Sequence, residues 1–212
     1  MTADNLANEP SGRWRRLKEA TAQTHDRLDR RVMAAEPFAS RDRYGLFLKV
    51  QHAFHRDIAD LYARPELQRL FDDLATRPRL EAVRQDLGDL GLDIGAEKGA
   101  TAVGDADVPT AIGWLYVAEG SNLGAAFLLK AAARLGLDET FGARHLAAAP
   151  EGRGLSWRKF TTALDAIALT EEEEERLFAG AREAFSRVHA LVEATMPIAG
   201  TAAARGPAEA VP

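Results

Sequence analysis

Lys18, His25 and Asp29 share one N-terminal run, at spacings that let the three side chains cooperate. With Leu17 as origin and about 100° per residue, Leu28 falls at about 20°, Val32 at about 60° and His25 at about 80°. The imidazole therefore borders the apolar face. Asp29, four residues on, is within reach of a ring nitrogen. An imidazole that ligates iron through one nitrogen commonly gives its other N–H to a carboxylate, and Asp29 is the candidate. Lys18 lies almost in line with His25, roughly 10 Å back along the axis, where an ammonium could meet an acidic arm of a bound group. Singly, these residues have blander readings: a bordering histidine is more often a satisfied core residue, and a lysine usually a surface charge.

The second constellation is GWLYVAEGSNLGAAFLLK, Gly113 to Lys130. It is spaced like a helix, yet Gly113, Gly120 and Gly124 follow at steps that put them on one face. Each glycine costs about 1 kcal/mol relative to alanine inside a helix, so the bare face must gain something. A flat, bulky body lying almost against the backbone is one gain; close packing of another helix is the commoner one. Tyr116, one turn before Gly120, points its phenol from the same face. Glu119, Asn122 and Lys130 interrupt the apolar run, which argues against a membrane span.

Helical periodicity runs through almost every segment, and no strand pattern is convincing. The spacing predicts helices from Arg13 to Ala35, from the Ser40 cap to about Tyr62, from Pro65 through Leu74, and from Pro78 through Leu90. A glycine-rich loop is expected over 91–109. Pro109 then introduces the glycine-striped helix, which should end near Gly136. A further helix spans Trp157 to Ile167. The last begins at a Thr170/Glu173 capping box, where the acidic run Glu171 to Glu175 reads as a solvated helix start and not a metal site. These elements predict an all-α, single-domain protein of residues 13–196. Residues 1–12 read as a disordered lead without a signal-peptide pattern, and 197–212 as a disordered Ala/Gly/Pro tail.

With 46% hydrophobic and 28% charged residues, the 212-residue chain has the composition of an ordinary globule. Its net charge of -5 and lack of a dense Lys/Arg stripe give no field for nucleic acid. No cysteine is present, which excludes disulfides, zinc–thiolate sites, iron–sulfur clusters and a thiolate nucleophile, and fits a reducing compartment.

LKEATAQTHDRLD followed by YVAEGSNLGAAFLLK resembles the bacterial biliverdin-producing haem oxygenases, over Leu17 to about Met196. The resemblance implies haem sandwiched between a proximal helix bearing the axial histidine and a kinked, glycine-rich distal helix. It places the axial ligand at His25, with Asp29 as its partner, and the distal close-approach segment at Gly120, Ser121, Asn122, Leu123 and Gly124. Lys18 and Tyr116 become anchors for the propionates, with Lys130 a competitor, and His55 and Arg79 helpers in holding distal waters. Members that rotate the haem lack the lysine and tyrosine, so their presence here implies cleavage at the α-meso bridge.

The implied enzyme is a cytoplasmic oxidoreductase that opens haem b, its substrate and prosthetic group, to biliverdin, iron and carbon monoxide with dioxygen. The Ser-Asn-Leu-Gly segment suits that chemistry: it offers backbone and small side chains, with room for ordered water, where a distal acid–base side chain would promote O–O cleavage. No flavin or nicotinamide fingerprint appears, so electrons should come from a separate donor of the ferredoxin or flavodoxin/NADPH reductase type. The product's use is iron acquisition or bilin supply to a phytochrome. Alternatives are a non-catalytic haem carrier or sensor, and a haem-free bundle in which His25 fills the core and the glycines serve packing.

Overall fold

Apolar side chains recur every three to four residues along most of the chain, and over most of those runs the described backbone is helical. The computed structural model describes residues 12–93 and 102–198. It contains α1 (Arg13–Ala34), α2 (Arg41–Asp57), α3 (Pro65–Gln68), α4 (Leu80–Asp89), α5 (Val108–Ala132), α6 (Arg153–Ala166) and α7 (Glu171–Thr195). Short 3-10 turns follow at Ala59–Ala63, Leu74–Thr76, Ala133–Leu135 and Arg144–Leu146. Among the described residues, β-type pairing is limited to isolated bridges from Asp138 to Phe141 and Gly142. The lead 1–12 and the tail 197–212, apart from Gly12, Pro197 and Ile198, and part of the 91–109 loop lie outside the described residues.

Local chemistry sets the helix starts. Ser40 accepts from the Arg43 amide at 3.2 Å, and Asp107 from the Thr110 amide at 2.9 Å with Pro109 in the first turn. At α7 the capping box is reciprocal, with Thr170 N–Glu173 Oε2 at 2.8 Å and Glu173 N–Thr170 Oγ1 at 3.2 Å. Glu174 of the acidic run does more than face solvent, since it accepts from Arg13 Nε at 3.1 Å and also pairs with Arg16.

Several boundaries differ from expectation; α5, for one, gives way to a 3-10 turn at Ala133, short of Gly136. The second helix ends at Asp57 and runs on as a 3-10 turn. α3 stops at Gln68 instead of Leu74, because Phe71 turns inward to stack on Phe160 with centroids 4.6 Å apart. α6 starts at Arg153, four residues early, after Gly152 at φ +90°.

Two core clusters hold the helices together. Leu17, Phe71, Ile112, Leu115, Phe160 and Leu177 belong to one; Tyr44, Leu48, Val83, Leu87, Ala125 and Val192 belong to the other. α5 and α7 contribute to both and form the spine. Gly113 and Gly180 let them approach: a Cβ on Gly113 would overlap the Leu177 carbonyl and lie 2.6 Å from the Ala181 amide nitrogen, and one on Gly180 would overlap the Thr110 carbonyl. Gly113 therefore serves helix packing, a correction to the single-purpose glycine stripe. α1 runs along α7 in the same sense, through Arg13–Glu174, His25–Phe185 and Arg31–Glu193. α5 is buried from Ala111 through Glu119 and emerges beyond Gly120, staying helical through Gly124.

Candidate functional site

His25 stands out from α1 with 55% of its side chain exposed, where the spacing had put it only at the edge of the apolar face. Its Nδ1 lies 3.3 Å from Asp29 Oδ2, the helical i,i+4 contact, and 4.0 Å from Asp26 Oδ1. The ring packs edge-on against Phe185 of α7, centroids 5.8 Å apart at 78°. A carboxylate in contact with Nδ1 would favour a donor N–H on that nitrogen and leave the Nε2 lone pair for a ligand.

Lys18 is exposed on the same side of α1, and Thr21 lies between it and His25. The Thr21 hydroxyl donates to the Leu17 carbonyl at 2.8 Å. The Tyr116 hydroxyl of α5 comes up to it. Burial pushes that phenol's pKa up, and the Thr21 hydroxyl works in the opposite direction. The Tyr116 ring is buried beside Trp157, centroids 5.7 Å apart. Thr21 and Tyr116 thus connect the two helices, and His25 and Gly120 each lie one turn further along. The sequence signal for Thr21 is its place three residues after Lys18 and four before His25.

The Gly120–Gly124 segment is open where α5 emerges. A Cβ on Gly124 would meet nothing within 4 Å, and one on Gly120 would touch only the Trp157 ring, at 3.6 Å. Leu123 and Phe127 flank Gly124 with 46% and 83% exposure, an unusual state for large apolar side chains. Ser121 is exposed, its hydroxyl donating to the Ala118 carbonyl at 2.7 Å. Asn122 is half-buried, and its carbonyl accepts from Arg153 Nη1 at 3.0 Å. Lys130 is exposed in the last turn of α5.

Arg79 and Asn122 line a common cavity of 360 Å³, together with Arg77, Glu119, Arg153 and Trp157. His55 is not among its lining residues. It is buried on α2 with Nδ1 unpaired, and burial, followed by the charges of His145, Arg79 and His52, lowers its pKa to about 3. It is a neutral imidazole at ordinary pH.

Glu119, seen in the sequence only as an interruption, is 4% exposed and immediately precedes Gly120. Tyr62 donates to its Oε1 at 3.0 Å and Arg77 to its Oε2 at 2.7 Å. Arg77 also grips both Asp73 oxygens, at 2.8 and 2.9 Å, and the Ser156 carbonyl at 3.1 Å. Burial pushes the Glu119 carboxyl up, while Arg77 and Tyr62 pull it down. The network fixes α5 just before the glycine segment. A charge inside an otherwise apolar helix was its signal.

Comparison with known proteins accounts for most of the chain. A family described as Heme oxygenase matches residues 14–194. Heme oxygenase PigA of Pseudomonas aeruginosa is 46% identical over 195 residues, 91% of this chain and 98% of that protein. The NO- and CO-bound heme oxygenase of Neisseria meningitidis superposes with a TM-score of 0.83 at 42% identity, covering 90% of this chain and 95% of the other. The haem complex of heme oxygenase-1 from the cyanobacterium Synechocystis shares the fold, with a TM-score of 0.71 at 14% identity over 86% of this chain and 91% of that one.

Proposed function

The chain belongs to the haem oxygenase family, and we infer that it opens haem to biliverdin, iron and carbon monoxide with dioxygen and outside electrons. Haem is substrate and prosthetic group together: when bound, it supplies the iron at which dioxygen reacts. The side chains fit such a body. Nε2 of His25 is the ligating atom, with Asp29 holding Nδ1–H at 3.3 Å so that the ring keeps one tautomer and orientation. Gly120 and Gly124 leave the opposing backbone bare, and Leu123 and Phe127 await an apolar partner. Ser121 and Asn122 bring polar groups without a strong acid, so proton delivery falls to ordered water. The bend in α5 that the family resemblance implies belongs to this reading.

The finer assignments are proposals. The haem is haem b, with Lys18 and Tyr116 on its propionates, Lys130 a second cation nearby, and cleavage at the α-meso bridge. His55 and Arg79 support the distal side from behind, Arg79 through the cavity it shares with Asn122. Electrons come from a separate ferredoxin or flavodoxin/NADPH reductase, in the cytoplasm, and the bilin serves iron release or a phytochrome. Among the described residues no helix is long and apolar enough to cross a membrane. The folded unit is 13–196, between the lead 1–12 and the tail 197–212.

One observation carries the reading: an exposed imidazole with Asp29 3.3 Å from its Nδ1, one turn past the Thr21 that meets Tyr116, while α5 one turn past Tyr116 carries Gly120 and the open Gly124. The test is product isomer analysis after aerobic incubation with haem and a reductase. We expect Soret loss and a single α-isomer from the native chain, none from His25→Ala, and mixed isomers from Lys18→Asn/Tyr116→Phe. A stable oxygenated spectrum without bilin would make the protein a carrier, and one unchanged isomer from the double variant would remove both anchors.

A further inference from the structure

We propose that the cavity on the Asn122 side of α5 binds a small oxyanion, of the carboxylate or phosphate type, between Arg79 and Arg153. Six charged side chains line this 360 Å³ space: Asp73, Arg77, Arg79, Glu119, Glu151 and Arg153. Four are already accounted for. Arg77 pairs with Asp73 and Glu119 at 2.7–2.9 Å, and Glu151 takes Lys159 at 2.9 Å. Arg79 and Arg153 remain, and neither reaches a carboxylate at ion-pair distance among the described residues.

Arg153 gives its protons to neutral oxygens, Nη1 to the Asn122 carbonyl at 3.0 Å and Nη2 to the Leu146 carbonyl. Carbonyls satisfy the N–H groups without cancelling the charge. Burial and then the nearby charge of Arg79 disfavour its cationic form, partly offset by the charge of Glu139, so two like charges face the same partly exposed cavity. The start of α6 lines the cavity through Glu151 and Arg153, and its N-cap Gly152 makes no side-chain cap, so the first-turn N–H groups have no capping partner and the positive end of the helix dipole lies beside the space. Two guanidiniums with planar donor forks suit an oxyanion better than water alone.

The site has a built-in connection to the distal segment. Arg153 holds the Asn122 carbonyl, so an anion that draws the guanidinium toward itself loosens or re-aims that grip. Anion and haem occupancy should therefore be thermodynamically linked. Binding of the anion itself does not depend on the haem reading, and its test is made without haem.

The experiment follows the thermal midpoint of the haem-free full chain against inorganic phosphate, with acetate as the carboxylate probe and potassium chloride as the control at matched ionic strength. Binding to the native state gives a saturable rise beyond chloride. Losing one charge-assisted contact in Arg79→Gln weakens the apparent affinity by about tenfold. Arg153→Gln also frees two carbonyls and lowers the starting midpoint, so its phosphate-dependent increment is the quantity compared, and it too shrinks. The Trp157 indole N–H resonance, from a residue on the cavity wall, shifts along the same isotherm. A rise with acetate and not phosphate supports the site and assigns it to carboxylates. Midpoints that follow ionic strength alone, an unmoved Trp157 signal, or an undiminished increment in Arg79→Gln would overturn the proposal and leave the oxygenase reading intact.

Discussion

At the scale of single residues, the histidines divide by environment. His25 is exposed and meets a carboxylate; His55 and His145 are buried, and burial lowers the pKa of each. An unfolded histidine takes up its proton near pH 6.5, whereas folded His55 resists protonation down to about 3. Between those values the unfolded chain binds more protons, so stability falls as pH falls. From about pH 7 to about pH 5 one such group removes about 2 kcal/mol. Urea unfolding at both values should therefore show the native chain losing about that much more than His55→Gln; equal losses would mean that His55 is not held neutral. Asp29 makes a different prediction. It is exposed, so Asp29→Ala should leave the unfolding midpoint unchanged while weakening haem affinity about tenfold or more, read from Soret titration.

At the scale of the element, α5 shows that one stripe of glycines can serve two purposes. Gly113 sits where a methyl group would strike α7 backbone, and Gly124 sits against open space. Alanine substitutions should therefore act with opposite sign. Gly113→Ala forces the spine helices apart and costs about 1–3 kcal/mol or more, a fall of several degrees in Tm. Gly124→Ala removes a helix-propensity penalty and gains up to about 1 kcal/mol, a rise of roughly 2–4 °C. The same variant adds a methyl group on the proposed haem face, and haem titration should show weaker binding. A Gly124→Ala protein that is more stable and binds haem as before would place the haem elsewhere.

At the scale of the whole molecule, α1 is held in place from a distance. The Asp165 carboxylate of α6 accepts from the Trp14 amide at 2.9 Å and so caps α1 from another helix. Arg13 returns the contact, donating to the Leu164 and Ile167 carbonyls at 2.6 and 2.9 Å. Each helix end thus satisfies backbone groups left orphaned at the other, which ties α1 to the body that carries α5. Asp165→Ala should cost about 1 kcal/mol and speed amide exchange in the first turn of α1, without moving the His25–Asp29 contact. Unchanged exchange at Trp14 would show that the cap lies elsewhere.

By itself the sequence determined what lies within a few residues of its cause. Helix starts at Ser40, Pro109 and Thr170/Glu173, the His25–Asp29 contact, and an all-α chain follow from local geometry whose partners the sequence names. The specific string around Gly120–Gly124 carried the family. Tertiary structure decided whatever depends on a distant partner: that Gly113 packs on Gly180, that Phe71 ends α3 by stacking on Phe160, that Thr21 meets Tyr116, and that Glu119 is buried against Arg77 and Tyr62. The partners of Glu119 stand 42 and 57 residues away, beyond the reach of any local period. Periodicity fixes which side of a helix is apolar; only packing fixes which neighbour that side meets, because close approach and charge burial are properties of pairs of surfaces.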